Sequence, residues 1–408
     1  MQPASLISLT PARAGVALLH TFDGSGNDGA YPQGSLTLSG SKLYGMTYFG
    51  GSGTSGTLFS MNSDGTGFGL LHSFAGDASD ARYPVGSLTL SGSKFYGVTS
   101  TGGSSITGGT LFSVNTDGSG FGLVHSFDGS ASGSGFPSGS LALSDSKLYG
   151  MTHNGGSSGA GAVFSMNTDG TGFGLLHSFT GGSSDGGSPN GSLKLSGSKL
   201  YGVATLSSNS DAGAVFSMNT DGTGFGLLHS FVDYASDGIN PLGSLTLSGS
   251  KLYGVTSVGG SSGAGEVFSM NTDGTGFGLV HSFDGSASGS GTPSGSLAIS
   301  GSKLYGMTAA GGATGSGAVF SVNTDGTGFG LVQSLDGVPW QGTSFGDVIL
   351  SDDGSTLYGM TSQGGTAFQG VIFSVDISGV PEPATVAVGL LCLGVGMARR
   401  RRSAGWPE

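Results

Sequence analysis

The phrase Leu18-Leu19-His20-Thr21-Phe22 returns almost letter for letter along the chain, its third position falling at His20, His72, His125, His177, His229, His281 and Gln333. Neighbouring copies stand 52 residues apart, with one step of 53. A fixed period near 50 means one small unit stacked many times, since a unit of that size cannot bury its apolar face alone. Glycine supplies 85 of the 408 residues and only 9% are charged, a composition that would suit a flexible linker if the apolar residues were scattered. They are clustered instead. Runs such as Leu36-Thr37-Leu38, Leu43-Tyr44-Gly45-Met46 and Leu58-Phe59-Ser60-Met61 are bounded by Gly, Ser, Asn and Asp, the pattern of half-buried strands between turns.

Each repeat holds four such runs. The turns Ser39-Gly40-Ser41 and Asn167 to Gly172 have hairpin chemistry, because Gly and Asp tolerate the positive φ of tight turns. Four antiparallel strands in about 50 residues make one propeller blade. The Tyr-Gly pair of the second strand occurs at Tyr44, Tyr96, Tyr149, Tyr201, Tyr253, Tyr305 and Tyr358, and the Phe-Ser pair of the third at Phe59, Phe112, Phe164, Phe216, Phe268, Phe320 and Phe373. Both markers count seven. The first fourth-strand phrase stands alone at Val16 to Phe22, and no fourth strand follows Val371 to Val375. These two defects complement each other, predicting an all-β seven-bladed ring over residues 15–378, closed by pairing the N-terminal strand with the last blade and left with no open sheet edge.

The phrases Leu-Tyr-Gly-Met-Thr, the Gly155-Gly156 pair, Val-Phe-Ser and Leu-Leu-His-Ser-Phe resemble the GloVer tandem repeat of exported bacterial proteins, over about nine tenths of the chain. Here Met or Val follows Leu-Tyr-Gly, and Ser-Met-Asn follows Val-Phe, which departs from the commoner wording. The order of Tyr, Gly-Gly and hairpin is also similar in outline to kelch blades, an analogy that speaks to fold only. Residues 379–408 resemble a PEP-CTERM sorting tail, with Val380-Pro381-Glu382-Pro383, an apolar stretch from Ala384 to Ala398, and Arg399-Arg400-Arg401-Arg402. That resemblance implies an exosortase-type partner and a final place at the cell surface, outer envelope or extracellular matrix of a Gram-negative-type bacterium. As a short helix the apolar stretch would reach about 22 Å, less than a bilayer core. The arginines would stay on the cytoplasmic side and leave the propeller outside.

Export calls for an N-terminal signal. Residues 1–14 lack a basic region and a long apolar core, yet Ala12-Arg13-Ala14 has the small-x-small form of a cleavage site, so this stretch is read as the remnant of a signal peptide whose start lies upstream. The single Cys392 sits in the tail, leaving the ring without disulfides. Net charge is −12, and four of the thirteen basic residues belong to the tail. An acidic body with scattered lysines argues against a nucleic-acid partner.

Several residue sets invite chemistry and are better read as structure. Six histidines and Gln333 at one strand position suggest a repeated hydrogen-bonding device, since glutamine is a poor metal ligand. His153, outside the pattern, reads as a loop residue. Asp64, Asp117, Asp169, Asp221, Asp273 and Asp325 each supply one carboxylate to a hairpin, whereas a calcium loop gathers several oxygens. The glycine-rich strings lack the Gly-Lys-Ser/Thr of a phosphate loop, and no nucleophile elbow or catalytic carboxylate pair stands out. No cofactor, metal or catalytic residue is expected.

What varies between repeats lies in the two longer connections, fourth strand to first and second to third, which emerge on one face. Function tends to sit on variable loops held by a rigid scaffold. Tyr31, Tyr48, Phe49, Tyr83, Phe136, Tyr234, Trp340 and Phe368 stand out there, among Asp77, Asp80, Arg82 and Asp233. Aromatics mixed with small polar residues suit stacking and hydrogen bonding to sugars. The alternative is that they plug the channel or pack over neighbouring blades. The expected function is that of a monomeric, exported, non-catalytic surface or matrix propeller binding polysaccharide or a surface protein. The alternatives are a purely structural matrix protein without a discrete ligand and a carbohydrate-active enzyme.

Overall fold

The fold is seen in a computed structural model describing residues 15–104, 108–130, 135–182, 185–206, 212–232, 234–335 and 346–379. These form seven separate antiparallel sheets arranged as the blades of a propeller. A complete blade is typified by Ala81–Ser91, Lys94–Gly102, Thr110–Asn115 and Gly122–Ser126, paired in that order from the axis outward. In the first blade the innermost strand is split into Gly29–Pro32 and Thr37–Ser39. The seventh blade takes Val348–Leu350, Thr356–Thr361 and Val371–Asp376 from the C-terminal part of the ring and its outer strand, Val16–Thr21, from the N-terminal part. Val16 stands opposite Val375 and Thr21 opposite Val371. The ring therefore closes as the offset repeat predicts. One expectation needs correction: closure leaves sheet edges open, because blades meet through side chains and each outer strand keeps a free edge on the rim. The C-terminal apolar helix expected over 384–398 lies outside the described residues.

The core is made between blades, not within them. Tyr44, Met46, Leu58 and Phe74 of the first blade pack on Leu88, Phe95, Phe112 and Val114 of the second. The same arrangement at the closure joins Phe22, Tyr358, Met360 and Ile372 to Leu36, Leu43, Phe59 and Met61. The two sequence markers are halves of one contact: a Cβ on Gly97 would lie 2.4 Å from Phe112 Cζ, so the Tyr-Gly glycine makes room for the third-strand phenylalanine. Each such buried ring removes enough apolar surface to contribute about 1.5–3 kcal/mol.

Around the axis a second device links the blades. The pairing of first and second strands is interrupted near the sequence Gly-Ser, as between Val85 and Thr89 or Asn190 and Lys194. The freed serine N–H turns to the next blade. Ser35 N–H donates to Ser87 Oγ at 2.7 Å, Ser87 to Ser140 at 2.7 Å, Ser140 to Ser192 at 2.7 Å, Ser192 to Ser244 at 2.8 Å and Ser244 to Ser296 at 2.9 Å. In the seventh blade aspartate replaces serine. Asp347 Oδ1 accepts the Ser296 N–H, and Oδ2 accepts the Ser35 hydroxyl, so one carboxylate completes the circuit. The preceding glycines are obligatory: a Cβ on Gly139 would lie 1.9 Å from the Gly191 carbonyl oxygen.

A third link runs beneath the long loops. In six of the blades a proline of the first strand seats against the glycine ending the previous blade's second loop, from Pro84 on Gly56 round to Pro32 on Gly370. The residue before that proline donates its N–H to the same loop, as Tyr83 does to Ser55 and Tyr31 to Gln369.

Gly139→Ala should therefore destabilise by on the order of 3 kcal/mol or more, or prevent folding, through overlap with backbone that cannot yield. Gly92→Ala, at φ +59 with nothing within 4 Å, should cost only the left-handed strain of about 1–2 kcal/mol. Chemical unfolding of both variants checks this, and equal losses would count against the axial ring as a constraint.

Candidate ligand-binding face

The repeated histidines sit in the outer strands and hold neighbouring blades together. Each ring lies parallel to a phenylalanine in the third-to-fourth strand hairpin of the next blade, with centroids 3.7–4.1 Å apart, from His20 on Phe68 to His281 on Phe329. Each also meets the phenylalanine two residues on, edge to face, at 4.8–4.9 Å. Four reach a carboxylate eight residues later: His20 Nε2 to Asp28 at 3.0 Å, His72 to Asp80 at 3.1 Å, His177 to Asp185 at 2.5 Å and His229 to Asp237 at 3.2 Å. That aspartate also accepts backbone N–H groups of its own loop, as Asp28 does from Asp23 and Gly29, and so pins the fourth-to-first connection. Burial opposes ionisation of Asp80, but the bonds from His72, Ala75 and Ala81 outweigh it and hold its pKa below the ordinary value. His125 and His281 have glycine eight residues later, and their buried Nε2 atoms find no partner among the described residues. Burial lowers the pKa of His125, His229 and His281.

Hairpin aspartates are turn formers. Asp64 Oδ1 accepts both the N–H and the hydroxyl of Thr66, and Asn62 closes the turn on the same hydroxyl. These bonds lower the aspartate pKa in each hairpin, and at Asp353 the Ser351 hydroxyl, with Ser355, brings it to about 2. Among the described residues no three His, Cys, Asp or Glu side chains are grouped to hold a metal ion.

The axis itself encloses a cavity of about 470 Å³ lined by all seven blades. The residue between proline and glycine faces it and differs from blade to blade: Gln33, Val85, Ser138, Asn190, Leu242 and Ser294. Asp347, with both oxygens engaged in the ring, is the only charged residue lining it among the described residues.

On the long-loop face the candidate aromatics fall into separate places. Tyr31, Tyr48, Phe49 and Tyr83 touch one another. Tyr48 and Tyr83 lie parallel across the boundary of the first and second blades, with centroids 4.9 Å apart and 13° between planes. Phe49 meets Tyr48, Tyr83 and Tyr31 edge to face at 4.8, 5.3 and 5.8 Å. Phe368, half exposed, stands in the seventh blade next to Gln369, whose carbonyl accepts the Tyr31 N–H. Phe136 is half-buried in the third blade, its N–H donated to Asn154 Oδ1 at 2.8 Å, with His153 N–H donated back to its carbonyl. Tyr234 is exposed on the fifth blade, away from the others. Asp77 caps Ser79, and Arg82 donates to the Gly76 carbonyl within its own loop. Trp340, Asp233, Val380, Pro381, Glu382, Pro383, Arg399, Arg400, Arg401 and Arg402 lie outside the described residues.

One titratable group stands outside this reading. Glu266, the single glutamate between residues 15 and 378, is fully buried where other blades carry threonine, alanine or valine. Among the described residues its Oε2 has no hydrogen-bond partner, and neither has Thr256 Oγ1 opposite it. Burial raises its pKa, Asp237 adds to the rise, and Ser282 offsets part of it. The break in the repeat was visible in the sequence, but its burial was not.

Seven blades of one repeat, closed by the two ends of the ring, define a tandem-repeat propeller. The Gloeobacter/Verrucomicrobia repeat matches residues 2–207 and 188–386, so the chain belongs to that family. The PEP-CTERM protein-sorting motif matches residues 379–402, marking the protein for export to the cell surface or extracellular space. No curated protein matches the sequence. Among solved structures, an oligogalacturonate lyase in complex with manganese is similar over 89% of this chain and 93% of its own, with a TM-score of 0.58 at 14% identity, a likeness of fold alone. TolB from Acinetobacter baumannii aligns with 68% of this chain and 59% of its own, at a TM-score of 0.42 and 14% identity.

The raised pKa of Glu266 means the folded state holds its proton more tightly than the unfolded chain. That stability is present at low pH and is lost as pH rises through the folded value. Glu266→Gln should therefore be more stable than the parent by about 1 kcal/mol near neutrality, with the gap closing toward about pH 4. The buried histidines change stability in the opposite sense in both proteins, so thermal unfolding of the pair across pH isolates Glu266. A constant gap would contradict the assignment.

Proposed function

We propose that this exported propeller is a non-catalytic surface or extracellular-matrix protein that binds polysaccharide, or another surface protein, through its long-loop face. The observation that supports the reading most is the division of labour within the repeat. Axial serines, inter-blade phenylalanines and hairpin turns are nearly constant, while the departures from the repeat gather in the loops of one face and in the residues lining the axis. A constant frame with variable loops is how a scaffold presents a binding surface. The sorting tail supports an extracellular ligand and an exosortase-type enzyme as the partner that processes the tail.

Intact mass and cell fractionation of the protein from its own host test the address. The expected result is a surface or secreted form that has lost Arg399 to Arg402. A cytoplasmic form retaining the tail would overturn the reading and direct the search to intracellular partners.

A further inference from the structure

Within the long-loop face, one sector departs from the repeat in a way the fold does not need. Five equivalent positions, each just before the proline of a first strand, share a left-handed backbone: Tyr31 (φ 53), Tyr83 (φ 60), Ser188 (φ 48), Asn240 (φ 56) and Thr292 (φ 52). Asparagine accepts this conformation readily, whereas a bulky side chain is strained there. Blades one and two nevertheless carry tyrosine.

The neighbouring strand end shows the same preference. Where the second blade has Ser100, the fourth Thr205 and the fifth Ser257, the hydroxyl donates to the carbonyl of the left-handed residue and supports it. The first blade has Tyr48 there and forgoes that bond, then follows it with Phe49, where the second blade has Thr101. Strain is accepted at both tyrosines, as it is at Thr292, and in the first blade a stabilising contact is given up as well, and the product is a set of touching rings. Such outliers point to a functional demand when nothing in the packing requires them.

Resting on the reading of this face as the ligand-binding side, we infer that Phe368, Tyr31, Phe49, Tyr48 and Tyr83 form a ledge across blades seven, one and two that holds a neutral polysaccharide chain. Phe49 and Phe368 are 39% and 51% exposed, so ring surface is available, while the Tyr48–Tyr83 stack keeps the platform rigid. The hydroxyls of Tyr31, Tyr48 and Tyr83 make no hydrogen bond to the described residues and are free to bond sugar hydroxyls. Aromatic faces pack on the apolar C–H face of a sugar at low entropic cost. Charge excludes acidic glycans: Asp28 beneath the ledge is engaged by His20, Arg82 is turned into its own loop, and the ring is more acidic than the chain as a whole.

At Tyr31, Tyr48 and Phe49 the test uses the other blades' own residues, so that folding is not at stake there. Full-length protein, Tyr48→Ser/Phe49→Thr, Tyr31→Asn, Phe368→Ala and, as a control, Tyr234→Ala are compared by affinity electrophoresis in laminarin, neutral galactomannan and alginate, with thermal unfolding in parallel. The inference expects retardation in a neutral glycan, weakened roughly tenfold or more by the ledge substitutions and unchanged by Tyr234→Ala and in alginate. It also expects Tyr31→Asn to melt no lower than the parent, which a packing role for that ring would forbid. Retardation that survives the ledge substitutions but falls with Tyr234→Ala would overturn the ledge and keep the face. Binding confined to alginate would overturn the neutral class. Capture of a host surface protein, lost with the ledge substitutions while no glycan is retarded, would replace the ligand with a protein. No ligand of either kind would overturn the reading of the face itself.

Discussion

No blade in this molecule can be stable by itself, because the apolar surface of each is covered by its neighbour. Phe112 of one blade fills the space above Gly97, and Tyr44, Met46 and Leu58 of the blade before close over it. A stack built this way has an uncovered face at each end unless it closes on itself. Closure is therefore the constraint from which the rest follows, and the offset of one strand is how the chain meets it. Val16–Thr21 completes the last blade, the Phe22 cluster packs the seventh blade on the first, and Asp347 spans the same seam at the axis. The seam is fastened at its rim, its middle and its centre.

Two exceptions to the repeat are explained by that seam. A histidine in one blade stacks on the phenylalanine that precedes the next histidine by four residues, as His229 does on Phe277. In the seventh blade the N-terminal strand brings Val16 to that place, so the sixth blade has no ring to stack against. Gln333 stands there in place of histidine and donates to the Ser334 carbonyl. Asp347 has the same logic: the two interfaces of the seventh blade use its carboxylate where the other five use a serine hydroxyl.

Much of this architecture was legible because a repeat averages out local ambiguity. Seven copies of Tyr-Gly and of Phe-Ser count the blades, and an orphan fourth strand at one end reveals the closure. What the repeat could not reveal was direction across the ring. The Gly-Ser sequence is plain in six copies, yet its N–H bonds to a residue one full period away, and only the broken strand pairing turns it there. For the same reason Tyr31, Tyr48, Phe49 and Tyr83 could be picked out as unusual but not seen to touch. Tyr234 looked equivalent to them and proves to stand apart. At Glu266 the break in the repeat was plain but its burial was not, because its strand is buried at five successive positions instead of on one face only.

The most direct measurement of closure is a cross-link between Ala17 and Ser374, which lie opposite each other across the seam. Cross-strand partners fall within reach of a disulfide, and the only native cysteine, Cys392, lies in the tail and can be replaced by serine. The double variant Ala17→Cys/Ser374→Cys should oxidise within one chain, migrate as a compact loop on a non-reducing gel and melt above its reduced form. Failure to oxidise, or oxidation only between chains, would contradict a ring closed by its own N-terminal strand.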